Sequence, residues 1–177
     1  MNADGASMIE ADAVIVGAGP GGASAAYHLA TLGFDVVVLE KATFPRDKVC
    51  GDGLTPAAVQ EIQLMGIDTT GWVRNRGLHV VGGGHEVYFD WPEQASLPPY
   101  GMTVARLDLD QALIRKAQAA GARLFEGHRV TGALRSDTGR VTGVTAQVGR
   151  GVAAKEVRVH GRLVVDAGGV SARLATS

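Results

Sequence analysis

A single cysteine, Cys50, excludes an internal disulfide and any metal site built from cysteines. One lone thiol fits a reducing, cytoplasmic setting. Charge of either sign is not in excess: the formal net charge is −1, with 20% charged residues. Such a balance gives no general attraction to nucleic acid or to an anionic membrane surface. Aromatics make up only 5% of the chain and interleave with no basic patch, which argues further against nucleic acid as a partner. No apolar run approaches the roughly 18 residues that span a bilayer. The opening "MNADGASMIEAD" is acidic and small, without the basic start and apolar run of a secretory signal. His79, His85 and His128 lack a paired metal-ligand spacing and read as ordinary strand-end residues, so no metal is expected.

What is present is a chain of 177 residues, 46% hydrophobic, consistent with one domain or a large part of a bigger one. Its 25 glycines are about twice the roughly dozen that average usage predicts. They are dispersed among apolar runs, which points to tight turns or to backbone lying against a ligand.

Two short apolar runs, "DAVIVG" (12–17) and "DVVVLE" (35–40), read as strands buried on both faces. Between them "PGGASAAYHLATLG" has helical spacing and ends at Gly33. Strand, helix and strand over about 30 residues make a βαβ crossover. Farther on, "TPAAVQEIQLMG" predicts a helix with Thr55 as N-cap and Pro56 in its first turn. Residues 77–83 and 85–91 predict a hairpin, "MTVARL" (102–107) a strand, "DLDQALIRKAQAAG" a helix with acids at its start, and "ARLFEG" a short strand. Trp72 and Trp91 read as core or loop-packing aromatics. The alternating stretch from His128 to Gly161, with "DTG" and "GRG" turns, predicts a three-stranded antiparallel meander. "RLVVDAGG" (162–169) then returns to the texture of a buried parallel strand.

Residues 17–22, "GAGPGG", place Gly17, Gly19 and Gly22 in the pattern G-x-G-x-x-G where a strand turns into a helix. Gly17 permits the tight turn and Gly19 lets backbone approach a pyrophosphate. Gly22 lets helix and strand pack closely. The helix N-terminus then points backbone N–H groups at the phosphates. The pattern continues through Ala26, Leu29, Gly33, Val36, Val38 and Glu40, the small, apolar and acidic positions of a longer dinucleotide fingerprint. Glu40 ends the second strand, where a carboxylate can bond an adenosine ribose and repel a 2′-phosphate. The alternative is a Gly-rich turn that binds nothing.

The long fingerprint and the meander that returns to a parallel strand resemble the glutathione-reductase-type (Rossmann-like) FAD-binding domain. "ATFPRDKVCGDGLTPAAV" and "VARLDLDQALIRKAQAAGA" are similar to segments of the geranylgeranyl reductase family of FAD-dependent oxidoreductases, especially menaquinone reductases. Members of that family saturate isoprenoid side-chain double bonds. The likeness runs with gaps from about residue 12 to 175 and covers only the N-terminal part of a typical member.

The resemblance implies FAD as cofactor. Gly17, Ala18, Gly19, Pro20, Gly21, Gly22, Glu40 and Lys41 would hold its ADP half. Cys50, Gly51, Asp52 and Gly53 would line the flavin side. Arg106 would reach the pyrophosphate or ribityl chain, and Val130 would meet adenine through its backbone. Plainer alternatives stand beside these roles. Cys50 also reads as a loop filler, Asp52 as a cap for the helix near Thr55, and Arg106 as a surface partner of Asp108. Arg46 and Lys48 read as solvated loop charges. No catalytic residue is singled out.

At "VVDAGG", Asp166 is followed by Ala167 and Gly168, not by the Asp-Gly pair of many related hydroxylases. This weakens an aromatic hydroxylase assignment and leaves a halogenase-like or monooxygenase alternative. The expected organisation is a flexible segment at 1–11 and an FAD-binding domain at 12–177, with an incomplete substrate region at about 72–105. The family's second flavin motif is missing, so a truncated piece of a longer enzyme is expected, and a non-catalytic FAD- or ADP-binding fragment is a third reading. An isoprenoid lipid or other small-molecule substrate, NAD(P)H or another reductant, and a peripheral position at the inner membrane face complete what the resemblance implies.

Overall fold

Val36, Val37 and Val38 are completely buried, as a strand covered on both faces requires, and β-branched residues of this kind favour the pleated conformation. A computed structural model of the chain describes residues 7–149, 154–172 and 174. In chain order the elements are β1 (Ser7–Val16), α1 (Pro20–Thr31), β2 (Val36–Leu39), β3 (Gly53–Leu54), α2 (Pro56–Leu64) and β4 (Val73–Asn75). There follow β5 (Gly77–Gly82), β6 (His85–Asp90), β7 (Gly101–Thr103), α3 (Arg106–Ala119), β8 (Arg123–Phe125), β9 (His128–Arg135), β10 (Val141–Val148) and β11 (Lys155–Asp166). The chain divides into two units, residues 1–46 with 110–177, and residues 47–109.

The first unit holds a six-stranded sheet in the order β8-β2-β1-β11-β10-β9. The four strands from β8 to β11 run parallel; β10 and β9 continue the sheet antiparallel. The expected βαβ crossover is present as β1, α1 and β2. Its helix ends as predicted, with Gly33 at φ 86° just beyond the last turn. The buried residues of α1 are Gly22, Ala23, Ala26 and Ala30, small enough for the helix to lie close on β1 and β2. One sheet face is an apolar cluster of Val14, Val37, Leu39, Val144, Ala146, Val157 and Val159. Fully burying a valine side chain contributes on the order of 1.5–3 kcal/mol, so this cluster anchors the unit.

Two boundaries in this sheet differ from the sequence expectation, for one reason. β1 starts at Ser7, so residues 7–11, expected in a flexible segment, are strand. The last meander strand and the returning parallel strand are likewise one continuous strand, β11, of 12 residues. β11 pairs antiparallel with β10 on one side and parallel with β1 on the other, from Ser7↔Val157 to Val16↔Asp166. Backbone pairing extends both strands beyond their apolar cores. Residues 1–6, Arg150 and Gly151 of the expected "GRG" turn, and most of the terminal "SARLATS" lie outside the described residues.

The second unit contains a three-stranded sheet, β3-β7-β4, and the predicted hairpin β5-β6. α2 begins as expected, with the Thr55 hydroxyl accepting the Ala58 N–H and Pro56 in the first turn. The short edge strands β3, of two residues, and β4, of three, carry too few residues for a periodicity signal. The predicted strand over 102–107 ends at Thr103, and Arg106 and Leu107 open α3 instead. Trp91 packs in the loop beyond β6, its indole N–H donating to Asn75 Oδ1 at 2.8 Å.

At Gly143, a Cβ would lie 2.3 Å from the Val159 carbonyl oxygen, next to a register shift between β9 and β10. Gly143→Ala is therefore expected to cost about 1–3 kcal/mol through overpacking, read as a lower urea midpoint with an unchanged slope.

Candidate functional site

The carboxyl ends of β1, β2 and β11 meet where the chain must pass with almost no side-chain volume. Gly17 has φ 97°, and a Cβ there would lie 2.6 Å from the Ala167 carbonyl oxygen. At Gly22 a Cβ would lie only 1.9 Å from the Gly17 carbonyl oxygen. These two glycines are therefore packing requirements inside the protein, as the motif predicts. Gly19 and Gly21 differ. A Cβ on Gly21 would meet nothing within 4 Å, and one on Gly19 only Arg46 Nη2 at 3.8 Å. Their open side is a cradle in which backbone faces free space. Gly19 is also the N-cap of α1, with Pro20 in the first turn and no side chain capping the helix. Uncapped N–H groups at the positive end of a 12-residue helix favour an anion.

Glu40 follows β2 and is only 5% exposed. Its Oε2 accepts the Ala18 N–H at 2.9 Å and its Oε1 the Ala42 N–H at 3.0 Å. A carboxylate has about four acceptor positions, so both oxygens retain capacity for a ligand hydroxyl. Gly17, Glu40, Lys41 and Val130 all line one cleft of about 690 Å³, together with Asp166 and Gly168. The Asp-Ala-Gly variant thus borders the phosphate loop. Ala167 N–H donates to the Val16 carbonyl, and Asp166 Oδ1 accepts the Gly168 N–H at 3.1 Å. A second cleft of about 720 Å³, bordered by Glu10, Arg140 and Arg162, contains no residue of the loop.

The remaining predicted residues, Cys50, Gly51, Asp52, Gly53 and Arg106, belong to the second unit. Cys50 is exposed with a free thiol. Asp52 does not cap the helix at Thr55. Its carboxylate accepts the Arg106 N–H at 3.2 Å and its carbonyl accepts the Val104 N–H at 3.1 Å, fastening the loop to the start of α3. The structure thereby brings two predicted residues, Asp52 and Arg106, into direct contact. Among the described residues no cluster of three or more His, Cys, Asp or Glu side chains could hold a metal ion.

One expectation is overturned. Arg46, read as a solvated loop charge, has a side chain only 13% exposed. Its Nη1 lies 2.9 Å from Asp110 Oδ2, and Asp110 is fully buried. Its Nη2 lies 3.8 Å from Glu40 Oε2, and the guanidinium stands 5.1 Å from the Phe44 ring centroid. A signal existed: Asp110 precedes Leu113, Ile114 and Ala117, all buried on α3, by three, four and seven residues. An acid on that apolar stripe needs a cation, and its reading as a helix-dipole acid concealed this. Lys48 is exposed, as expected of a loop charge.

The model of the FAD binding domain family matches residues 10–177. Menaquinone reductase of Mycobacterium tuberculosis (strain ATCC 25618 / H37Rv) is 44% identical over 153 residues, covering 84% of this chain and 37% of that protein. Digeranylgeranylglycerophospholipid reductase 1 of Methanopyrus kandleri is 33% identical over 170 residues, covering 94% of this chain and 41% of the relative. Among solved structures, the myxobacterial FAD-dependent chondrochloren halogenase CndH superposes with a TM-score of 0.81 at 28% identity, over 95% of this chain and 39% of the halogenase. The chain therefore spans about two fifths of the length of these proteins.

Asp52→Ala removes the acceptor at the start of α3 and is expected to cost about 0.5–2 kcal/mol in denaturant unfolding. Asp52→Asn, which keeps a side-chain oxygen, should recover most of that loss.

Proposed function

The chain belongs to the FAD binding domain family, and from that premise we propose that it is the FAD-binding part of a reductase that saturates isoprenoid double bonds of a quinone or lipid. FAD is the cofactor, and the open faces of Gly19 and Gly21, the uncapped start of α1 and the unfilled acceptor capacity of Glu40 fit it. Gly17, Ala18, Gly19, Pro20, Gly21 and Gly22 hold the pyrophosphate against the helix N-terminus. Glu40, Lys41 and Val130 take the adenosine in the cleft they line. The carboxylate of Glu40 accepts a ribose hydroxyl and turns away a 2′-phosphate. Cys50, Gly51, Asp52, Gly53 and Arg106 are assigned to the flavin side on the family resemblance.

Bound FAD supplies the hydride chemistry, and the protein supplies position and a dry surrounding. The single observation that carries the choice of substrate class is the identity with the mycobacterial menaquinone reductase. NAD(P)H or another reductant is the proposed electron donor. Among the described residues no helix is long and apolar enough to cross a membrane. On the likeness to lipid-quinone reductases, access to a lipid substrate is proposed at a membrane face, from the cytoplasmic side. The organisation proposed is an FAD-binding domain from Ser7, where β1 begins, to residue 177, with residues of about 72–105 contributing part of a substrate region.

A second reading, a monooxygenase or halogenase of the same fold, draws support from the backbone likeness to the halogenase and from the Asp-Ala-Gly turn at 166–168. The two separate by product. Reduced full-length protein given menaquinone without oxygen should return a quinone with one side-chain double bond hydrogenated. A hydroxylated or halogenated product that forms only with oxygen would establish the second reading instead.

The protein is expected to purify with flavin absorption bands, or to take up added FAD. Gly22→Val, which drives a side chain into the Gly17 carbonyl, should weaken FAD retention by about ten- to hundredfold in an equilibrium titration.

A further inference from the structure

Three charges are buried beside the phosphate loop, and two of them are negative. Glu40 and Asp110 are 5% and 0% exposed, and Arg46 lies between them. Stability alone gives little reason for such a group, since buried ion pairs are commonly matched by apolar residues of similar volume. The arginine is, moreover, incompletely used by the protein. Asp110 holds Nη1 at 2.9 Å; among the described residues Nε is buried with no hydrogen-bond partner and Nη2 has only Glu40 at 3.8 Å. That same Nη2 is the atom nearest the open face of Gly19, 3.8 Å from where a Cβ would stand. A guanidinium fixed at one nitrogen and presenting another beside an uncapped helix start suits an anionic oxygen. Without the cation, only the helix N-terminus would offset the buried charges of Glu40 and Asp110 near a phosphate at Gly19, and like charges repel in a buried setting.

We propose that Arg46 is a further cofactor-binding residue, contacting the FAD phosphate that lies against Gly19, and that Asp110 is its positioning residue. The assignment rests on the FAD reading above and adds residues outside the glycine motif. Arg46 offsets part of the negative charge of the two buried carboxylates and of the incoming phosphate. Asp110, on α3, sets the direction of the fork.

The test is equilibrium binding of FAD, ADP and adenosine to the full chain and its variants. Arg46→Gln is expected to weaken FAD and ADP by about ten- to hundredfold, the loss expected when a charge-assisted contact is removed, while adenosine affinity is unchanged. Arg46→Lys should lie between, because an ammonium keeps the charge and loses the fork. Asp110→Asn should weaken FAD and ADP in the same direction by a smaller factor. Should single variants unfold, the double variant Arg46→Met with Asp110→Leu removes the buried pair together and should show the same selective loss. The proposal is overturned if these variants bind ADP as tightly as the parent, or if adenosine weakens in parallel, which would mark a purely structural role. A parent chain that binds neither FAD nor ADP would overturn the FAD reading itself, and this proposal with it.

Discussion

Everything at the site depends on how closely backbone approaches backbone at Gly17. The end of β1 lies against the Ala167 carbonyl at the end of β11, and the start of α1 lies against Gly17 itself. A side chain at Gly17 or Gly22 would push these three segments apart. Their contact brings the helix N-terminus to the carboxyl edge of the sheet, and the same contact leaves Gly19 and Gly21 facing open space. One steric requirement thus sets both the packing of the βαβ unit and the shape of the cradle.

Glu40 carries that arrangement one strand farther. Its carboxylate ties the phosphate loop, through the Ala18 N–H, to the loop after β2, through the Ala42 N–H. The loop after β2 then turns Arg46 back beneath Glu40. Each buried charge so acquires a partner, as a low-dielectric interior requires. The sheet, the glycine loop and α3 are linked by these few polar contacts as well as by their apolar faces.

The loop "FPRDKVCGDGLTP" changes meaning in this light. Its lone cysteine is exposed, whereas the side chains of Arg46 and Asp52 bond to residues far away in sequence. Arg46 belongs with the buried carboxylates of the first unit, and Asp52 with the start of α3 in the second. The charged and acidic members of the stretch, not its sulfur, do the structural work.

The βαβ crossover, the phosphate loop and the position of Glu40 were legible from residue order, because each depends on residue types at fixed local spacing. Helix starts at Thr55 and stops at Gly33 were legible for the same reason. The fusion of two expected strands into β11, and the beginning of β1 at Ser7, came from pairing across the sheet, which local pattern does not encode. β3 and β4 were too short to carry a period. The fate of Arg46 was decided only by tertiary structure: whether a loop arginine is solvated depends on a carboxylate more than sixty residues away, brought beneath it when α3 buries the face that carries Asp110.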